Sequence, residues 1–384
     1  IVLIHDIILM MNIAYKYRIY PNKKQEELFM KTFGCCRKAW NLMLNDKIEN
    51  YKQTNTFGMF TPAMYKKDYP FLKEVDSLAL ANVQLNLQSA FRNCFDKNRK
   101  TNNNFPKFKS KHKAKERYTT NNQKGTIAII DEKYIKLPKI GKVKIKLHRH
   151  PKDNWKLCNA TISKEADKYY ASIVFEYDEE VINKTINKEK VIGLDYSSDA
   201  LYVDSNNHKC DMPHYYRENQ SKLIKAQKRL SRKIGSNKGE TKSKNYLKQL
   251  NKVNRVHTLI ANQRKDFLHK KSRELANTYD VVVVEDIDMK NISQGLRLGK
   301  ATMDNGYGYF RDLLKYKLER NGGALVKVDK WYPSTKTCSC CGNKVKSIPL
   351  GQRVYICDKC NTVIDRDYNA ALNIKDEGIR MLSL

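Results

Sequence analysis

The sequence predicts an α/β domain in its second half, preceded by a helical segment and a strand-rich segment. Three observations support this prediction. Short β-branched runs alternate with long helical patterns after residue 190, apolar residues recur at helical spacing in residues 21–100, and period-2 alternation dominates residues 118–180. The 384 residues are enough for about two or three domains.

Charge is the most informative property of the composition. Lys and Arg total 73 against 41 acidic residues, which gives a formal net charge of +32. Nucleic acid is the expected partner, because each phosphate contact also releases a condensed counterion. The alternatives are a merely basic protein and an anionic membrane surface, but we see neither an amphipathic anchor nor a polybasic tail beside an apolar segment.

The first ten residues, "IVLIHDIILM", form an apolar run that is too short to span a bilayer. The run lacks the basic lead and the cleavage site of a secretory signal. We interpret it as a start-site artefact that precedes Met10 or Met11, and we expect a cytoplasmic location.

The first half of the chain is predicted to contain a helical domain and a β-barrel or sandwich. Residues 12–20 alternate as a strand does, and Pro21 opens a long helix. A second helix is expected around residues 77–97. The strands of residues 118–182, joined by residues 11–20, would form the β-rich domain around the helical residues 21–117.

The segment "TNNNFPKFKSKHKAKER" that follows the second helix is polar and basic. It could clamp a nucleic-acid backbone through lysines and stack bases on aromatic rings. A disordered, charged connector is an equally good interpretation. The candidate nucleic-acid-binding residues are Phe105, Lys107, Phe108, Lys109 and Lys111.

After a linker at residues 183–190, strands alternate with helices. "VIGLDYSSDALYVDS" predicts a hairpin, and residues 215–278 predict a basic helical pair that breaks at "KIGSNKGET". A buried strand "DVVVVEDID", a helix "YFRDLLKYKLERNG" and a strand "ALVKVDK" follow. This alternation is typical of an α/β domain.

Four cysteines predict a structural metal site. Cys338 and Cys341 form one C-x-x-C pair, and Cys357 and Cys360 form a second. Four thiolates close a tetrahedron around zinc with no open position. Cys340 could compete, but Cys338 is preferred because C-x-x-C-G fits the usual zinc-knuckle turn.

Three acidic residues predict a catalytic site. Asp195 and Glu285 end apolar strands, and Asp367 lies where a helix should begin. Carboxylates that meet at one sheet edge repel each other unless divalent cations bind between them, and magnesium prefers such oxygen ligands. Two ions of this kind can activate water for attack on a phosphodiester.

Each acid has an ordinary structural alternative, such as a turn, a helix cap or a soluble strand end. Asp367 is preferred over Asp365 because Asn369 follows it in D-x-N-A-A and could add a ligand oxygen. Other nearby candidates are Asp199, Asp286 and Asp288.

The ordered motifs "GLD", "VVVVED", "FRDLLKYKLERNGG", "PSTKTCSCCG", "CDKC" and "DRDYNAALNI" resemble the TnpB family of transposon-encoded RNA-guided nucleases. They are also similar to the compact type V CRISPR effectors. "KYRIYPNKKQEELF" and "FPKFKSK" extend the resemblance over nearly the whole chain from about residue 11. One departure is Tyr196, where many relatives have a smaller or aliphatic residue.

The resemblance implies a RuvC-like (RNase H-type) nuclease core at 183–330 and 363–384, interrupted by a zinc-ribbon insertion that binds target nucleic acid at 331–362. It also implies a helical recognition lobe and a wedge β-barrel in the first half. It places the nuclease triad at Asp195, Glu285 and Asp367 and the zinc ligands at the four cysteines.

The expected function is therefore RNA-guided, magnesium-dependent cleavage of DNA, with a guide RNA and target double-stranded DNA as partners and with activity at the nucleoid. Three alternatives are a guided repressor that has lost cleavage, a transposase or recombinase that joins strands, and a zinc-ribbon RNA-binding protein without chemistry. The sequence does not fix the oligomeric state.

Overall fold

The structure is a computed structural model that describes residues 8–96, 104–111, 114–180, 185–197, 199–233, 243–295, 304–349 and 351–383. The chain divides into two compact units, Ile1–Glu180 and Val181–Leu384. The division lies two residues before the boundary expected from the sequence, at residue 182.

The first unit joins two long helices to an antiparallel sheet. Its helices are α1 (Lys23–Thr54) and α2 (Ser77–Phe95), with short 3-10 turns between them. Its strands are β1 (Ile8–Tyr20), β2 (Arg117–Asn121), β3 (Ala128–Ile130), β4 (Tyr134–Leu137), β5 (Gly141–Lys146), β6 (Lys156–Glu165) and β7 (Lys168–Glu180).

The sheet confirms that the N-terminal strand joins the later strand-rich segment. The strand order is β2-β6-β7-β1-β5-β4-β3, with β1 in the centre. β1 pairs with β7 from Ile8 opposite Glu180 to Ile19 opposite Tyr169. The strand thus begins before Met10, within the apolar run, while residues 1–7 lie outside the described residues.

Helix α1 begins and ends where its local sequence dictates. Asn22 and Gln25 form a reciprocal capping box at the start, and Asn55 ends the helix with a left-handed φ of 57°. The apolar face of α1 packs on the sheet, where the ring of Phe29 stacks on that of Tyr169 at a centroid distance of 5.6 Å. This contact fuses the helical and β-rich segments into one core.

The second unit is an α/β domain, as predicted. Its helices are α3 (Tyr215–Ser231), α4 (Lys244–Thr278), α5 (Met289–Gly295), α6 (Tyr307–Arg320) and α7 (Arg366–Met381). Its strands are β8 (Val191–Tyr196), β9 (Ala200–Asp204), β10 (Lys209–Asp211), β11 (Val281–Glu285), β12 (Ala324–Val328), β13 (Val354–Ile356) and β14 (Val363–Asp365).

Five of these strands form a mixed sheet with the order β10-β9-β8-β11-β12. β8 and β9 are antiparallel, which confirms the predicted hairpin, while β8, β11 and β12 run parallel. Helices α4 and α6 cover one face of this sheet. The predicted pair α3–α4 is present, but most of "KIGSNKGET" lies outside the described residues.

Helix α7 covers the other face of the sheet at very short range. A Cβ on Gly193 of β8 would lie 2.3 Å from the backbone oxygen of Ala371. A Cβ on Gly378 would lie 2.4 Å from a methyl group of Val283. Two glycines therefore permit the approach that places the first turn of α7 beside the end of β8.

Strands β13 and β14 form a separate hairpin, with Val354 opposite Asp365 and Ile356 opposite Val363. The family resemblance places the end of the inserted ribbon at residue 362. In the structure its second strand continues to Asp365 and leads directly into α7. The short helix α5 was also not predicted, because its seven residues are too few to show a helical period.

Candidate active site and cysteine cluster

The adjacent strands β8 and β11 bring Asp195 and Glu285 to the same edge of the sheet. Leu194 lies opposite Val284 in the parallel ladder, so the next residue of each strand is one of the two acids. Asp195 is only 6% exposed. The carboxyl ends of these strands therefore carry both predicted acids, as ligand sites in α/β sheets do.

Helix α7 contributes Asp367 in its first turn. The Oδ1 of Asp365 caps this helix, since it accepts hydrogen bonds from the backbone N–H groups of Asp367 at 3.0 Å and Tyr368 at 2.9 Å. The cap role of Asp365 supports the preference for Asp367. The close packing of α7 on β8 then directs the helix start toward Asp195.

The three acids interact electrostatically. Burial raises the pKa of Asp195 well above its ordinary value, and the negative charges of Glu285 and Asp367 raise it further. Burial also raises the pKa of Glu285, against a hydrogen bond from Ser334 that lowers it. The site is thus a set of carboxyl groups whose ionisation needs compensating positive charge.

Protein groups engage two of the three acids, Glu285 and Asp367, and the ligand atoms of the three acids do not all lie within 4.8 Å of one another. Within the described part of the chain, the cysteine quartet is the only group of three or more acidic, histidine or cysteine residues whose ligand atoms all lie within 4.8 Å of one another. The hydroxyl of Ser334 hydrogen-bonds to Glu285 Oε1. Arg353 and Arg366 bind Asp367.

Arginines from two segments meet the carboxylate of Asp367. Arg353 Nη1 lies 3.2 Å from its Oδ2, and Arg366 Nη2 lies 2.9 Å from its Oδ1. Arg353 also approaches Asp199 at 3.5 Å. The two guanidinium groups supply the positive charge that the carboxylates require in this structure.

A cavity of about 400 Å³ opens beside this arrangement and leaves room for a ligand next to Asp367. It is lined by Ser197, Asp199, Val203, Asn207, Lys209, Arg353, Asp365 and Asp367.

The segment before the first cysteine pair contributes residues that sequence reasoning missed. Ser334, which binds Glu285, belongs to the motif "PSTKT", and that motif was the only available signal. Asn373 of α7 donates to the backbone oxygen of Ser334 at 2.7 Å. Asn369 accepts from the N–H of Ser339 at 2.9 Å and donates to the carbonyl of Thr337 at 2.7 Å. The sequence suggests that Asn369 could add a ligand oxygen, whereas in this structure that oxygen accepts a hydrogen bond from the ribbon.

The remaining acidic alternatives have structural partners. Asp286 pairs with Lys327 at 3.2 Å and with Arg311 at 3.8 Å. Asp288 accepts from the N–H of Asn291 at the start of α5. These contacts explain both residues without a catalytic role.

The departure at Tyr196 affects the surroundings of the acids. Its ring packs on that of Tyr307 at a centroid distance of 4.9 Å. Burial raises the pKa of Tyr307 well above its usual range, and the charges of Asp195 and Glu285 act in the same direction. The two tyrosine rings thus form an apolar wall behind the carboxylates.

The four predicted cysteines converge. Cys338 Sγ lies 3.6 Å from Cys360 Sγ, and Cys341 Sγ lies 3.6 Å from Cys357 Sγ. Cys340 is exposed and lies outside the group, whereas Cys338 belongs to it. The cluster can hold a metal ion, because four sulfur atoms share one small space.

Hydrogen bonds lower the pKa of two of these cysteines, which favours the thiolate form that binds a cation. The hydroxyl and backbone N–H of Thr362 lower the pKa of Cys360 to about 6, and backbone donors lower that of Cys357. The N–H of Asn343 also lowers the pKa of Cys341, but hydrogen bonds from this thiol to the other three thiols, together with desolvation, outweigh that effect and raise the pKa to about 12. The thiols therefore share protons that a metal ion would displace.

In the first unit, residues 104–111 lie against α1. The Trp40 indole donates to the carbonyl of Lys107 at 3.1 Å, and Asn41 makes two hydrogen bonds with the backbone of Lys109. The Lys109 ammonium lies 3.4 Å from the centre of the Trp40 ring. Burial and the nearby Arg117 lower the pKa of Lys109 to about 8.

The other candidate residues of this segment differ in exposure. Phe105 packs against Phe91 at a centroid distance of 5.3 Å, so its ring is partly used by the core. Phe108 is 56% exposed, and Lys107 and Lys111 are exposed. Phe108 and the two lysines are therefore the members most available to a ligand.

A basic cleft of about 530 Å³ lies between α1, α2 and β2 in the same unit. Its walls combine cationic and hydrogen-bonding side chains, including Arg37, Asn82, Asn86, Lys109, Lys115 and Arg117.

No helix in the described residues is both long and apolar enough to cross a membrane.

Three family models match successive parts of the chain. The model described as "Helix-turn-helix domain" matches residues 10–56, "Probable transposase" matches 172–295, and "Cas12f1-like, TNB domain" matches 307–374. The α/β domain with acidic strand ends and the four-cysteine ribbon are thus the parts of the chain that match the transposase and Cas12f1-like models.

Curated relatives give the same result over nearly the whole length. A protein of Streptomyces pristinaespiralis is 31% identical over 383 residues, covering 95% of this chain and 89% of the relative. A protein of Escherichia coli is 27% identical, covering 96% and 93%. Both carry the name "Putative RNA-guided DNA endonuclease", the second with the addition InsQ.

A solved structure shares the fold. The Cas12f1–sgRNA–target DNA complex, determined by cryo-EM, contains a chain that matches with a TM-score of 0.57 and 14% identity, covering 95% of this chain and 99% of the other. The chain described here belongs to the OrfB/TnpB family, as its similarity to the Streptomyces protein shows. The predicted fold class and family are thereby confirmed.

Proposed function

We propose that this protein is an RNA-guided DNA endonuclease that hydrolyses phosphodiesters at Asp195, Glu285 and Asp367. The observation that carries the proposal is the position of the first two acids at the ends of adjacent parallel strands, with the start of α7 held beside them. The electrostatic effect of Glu285 and Asp367 on Asp195 supports their placement in one site.

Divalent cations, with magnesium as the best fit to three carboxylates, would supply an activated water and stabilise the departing oxygen. The protein's own residues provide the three carboxylates and the groups that hold two of them. Asp195 is buried, so its carboxylate is costly to ionise without a cation. Ser334 holds Glu285, while Arg353 and Arg366 hold Asp367, and a bound cation would compensate the charge of these carboxylates in their place.

Zinc fits the four cysteines best, because thiolates are soft ligands and four of them leave no open position. The quartet would stabilise the ribbon at 331–362 and its continuation into β14. Since the hydrogen bonds of Asn369 and Asn373 attach this ribbon to α7, the zinc site would also fix the position of Asp367.

A guide RNA and target double-stranded DNA are the proposed partners. The net charge of +32 and the basic cleft of the first unit supply the phosphate contacts. Lys107, Lys109, Lys111, Phe105 and Phe108 are proposed to contact the nucleic acid from the side of this cleft. The first unit would serve as the recognition lobe and wedge, and the second as the nuclease, acting on DNA in the cytoplasm at the nucleoid.

The decisive experiment uses the full chain purified with its copurifying RNA and zinc. Asp195→Asn keeps the volume of a buried side chain but removes its charge, so we expect loss of magnesium-dependent DNA cleavage with RNA binding retained. Asp286→Asn is the matched control, since it alters the exposed acid next to Glu285 and should leave cleavage near normal.

The same experiment separates the other functions. A guided repressor would bind target DNA without cutting it in either variant, and a transposase would yield joined strands instead of free ends. Undiminished cutting by Asp195→Asn would disprove the assigned site.

A further inference from the structure

An exposed tryptophan stands in the segment that joins β12 to the first cysteine pair. Trp331 is 81% exposed. Single hydrophobic residues are common on protein surfaces and need no special explanation. The position, anchoring and charged neighbour of Trp331 distinguish it from an ordinary surface residue.

Both ends of the Trp331 segment contact Glu285. At one end, Val328 is the ladder partner of Glu285. At the other end, the hydroxyl of Ser334 hydrogen-bonds to the Glu285 carboxylate. Trp331 lies three residues from each anchor, and three residues span at most about 11 Å. The tryptophan is therefore confined to the neighbourhood of the acidic edge.

Hydrogen bonds within the segment fix its backbone. Asp329 accepts from the N–H of Trp331 at 2.8 Å through Oδ1 and from the N–H of Tyr332 at 3.0 Å through its carbonyl. The N–H of Ser334 donates to the carbonyl of Tyr332 at 2.8 Å. A ring on a fixed backbone with only two side-chain torsions loses little entropy when a ligand covers it.

A cation accompanies the ring. The ammonium of Lys330 lies 4.9 Å from the centre of the Trp331 ring. An aromatic face beside a cation is the combination with which proteins hold unpaired nucleic acid, because the ring stacks on a base and the cation meets a phosphate. A protein partner would favour a contiguous apolar patch, whereas Trp331 directly follows the charged residues Asp329 and Lys330.

We infer that Trp331 stacks on an unpaired base of the DNA strand whose scissile phosphate lies at the edge formed by Asp195, Glu285 and Asp367, with Lys330 at a neighbouring phosphate. This inference rests on the proposed nuclease function. The stacking tolerates any sequence, since every base has a π face, but it requires a base that is not paired. Trp331 should therefore bind single-stranded DNA more tightly than double-stranded DNA.

The test measures binding without cleavage, using zinc-loaded full-length protein that carries Asp195→Asn. A single-stranded oligonucleotide of mixed sequence should quench tryptophan fluorescence, chiefly through Trp331, because Trp40 is only 7% exposed and the ring of Trp155 is stacked on that of Tyr177. Most of the quench should be lost when Trp331→Phe is added to the same background. A double-stranded oligonucleotide should quench much less.

Affinity measured by anisotropy of a labelled strand supplies the second readout. Trp331→Ala should weaken binding about 5- to 100-fold, as expected for loss of one stacked base. Trp331→Phe should retain most of the affinity because it keeps a ring. Val363→Ala, which truncates a ribbon side chain that is 67% exposed, is the matched control and should bind normally.

The stacking inference is overturned if Trp331→Ala binds as tightly as Val363→Ala, or if Trp331→Phe is as weak as Trp331→Ala. Failure of the proposed function looks different. If wild-type protein cuts no DNA but the strand still quenches Trp331, the stacking site stands and the nuclease assignment falls. If the wild-type protein cuts DNA normally but the strand does not quench its fluorescence, the nuclease assignment stands and the stacking site falls.

Discussion

The hydroxyl of Ser334 hydrogen-bonds to the carboxylate of Glu285, although 49 residues separate them in the chain. Ser334 is buried, and its backbone carbonyl also accepts from Asn373 of α7. One residue of the segment before the ribbon therefore contacts both the end of β11 and the helix that carries Asp367. The ribbon is attached to the acidic site through this contact.

Replacing Ser334 with Ala should shift the pH dependence of cleavage. The hydroxyl lowers the pKa of Glu285, so its loss raises that pKa and a higher pH is needed to ionise the carboxylate. We expect cleavage on the acidic side of the pH profile to fall on the order of 10-fold, with recovery in more alkaline buffer. Rates measured across pH for the wild type and the variant test this expectation.

Ser334→Thr retains the hydroxyl and is the control for that series. Its pH profile should stay close to the wild-type profile. A Ser334→Ala profile that is lowered equally at every pH would show that the serine only supports the fold.

The buried charge of Asp195 should make the protein less stable as the pH rises. Its pKa in the folded state is raised, so its contribution to stability is fully present below the ordinary pKa and is lost as the pH increases through the raised value. Without magnesium, Asp195→Asn should therefore be more stable than the wild type at neutral pH, by about 1–2 kcal/mol.

Denaturant unfolding of zinc-loaded protein at several pH values measures this difference. The difference in unfolding free energy between the variant and the wild type should shrink in acid, where the wild-type carboxyl group of Asp195 is protonated. Magnesium should stabilise the wild type more than the variant. A variant that is less stable than the wild type at all pH values would contradict the proposed cost of this charge.

The sequence predicted the elements that carry the site, but not the contacts between them. Asp195 and Glu285 could be located because strand-end acids follow apolar runs, and the cysteines because their spacing is local. The partners Ser334 and Arg353 come from turns without a periodic pattern, and their roles depend on where distant segments meet. The local motif around Asn369 favoured a metal ligand, whereas tertiary contacts assign it to the ribbon backbone.

The cysteine cluster should lose zinc when one of its members is changed, but not when Cys340 is changed. Cys338→Ser removes a buried thiol and should reduce bound zinc severalfold and expose the ribbon to proteases, because metal binding and local folding are coupled. Cys340→Ser should retain both zinc and protease resistance. Zinc content by mass spectrometry and limited proteolysis provide the two measurements. Equal zinc loss in both variants would contradict the assignment of the quartet.

The site should be most sensitive to substitutions that disturb the close packing of α7 on the sheet. In Gly193→Ala the new Cβ would overlap the carbonyl of Ala371, which would then lie 2.3 Å away, so the helix must move away from β8. Such overpacking typically costs about 1–3 kcal/mol, and the displacement separates Asp367 from Asp195. We expect a lower midpoint of denaturant unfolding and a loss of cleavage that exceeds the loss of RNA binding.

Gly351→Ala is the matched control for this substitution, because its Cβ would meet no atom within 4 Å and the residue has no positive φ. It should leave both stability and cleavage near the wild-type values. If Gly193→Ala cuts DNA normally, the acids do not depend on the close contact between β8 and α7. The geometric basis of the proposed site would then be wrong, even if the fold itself were intact.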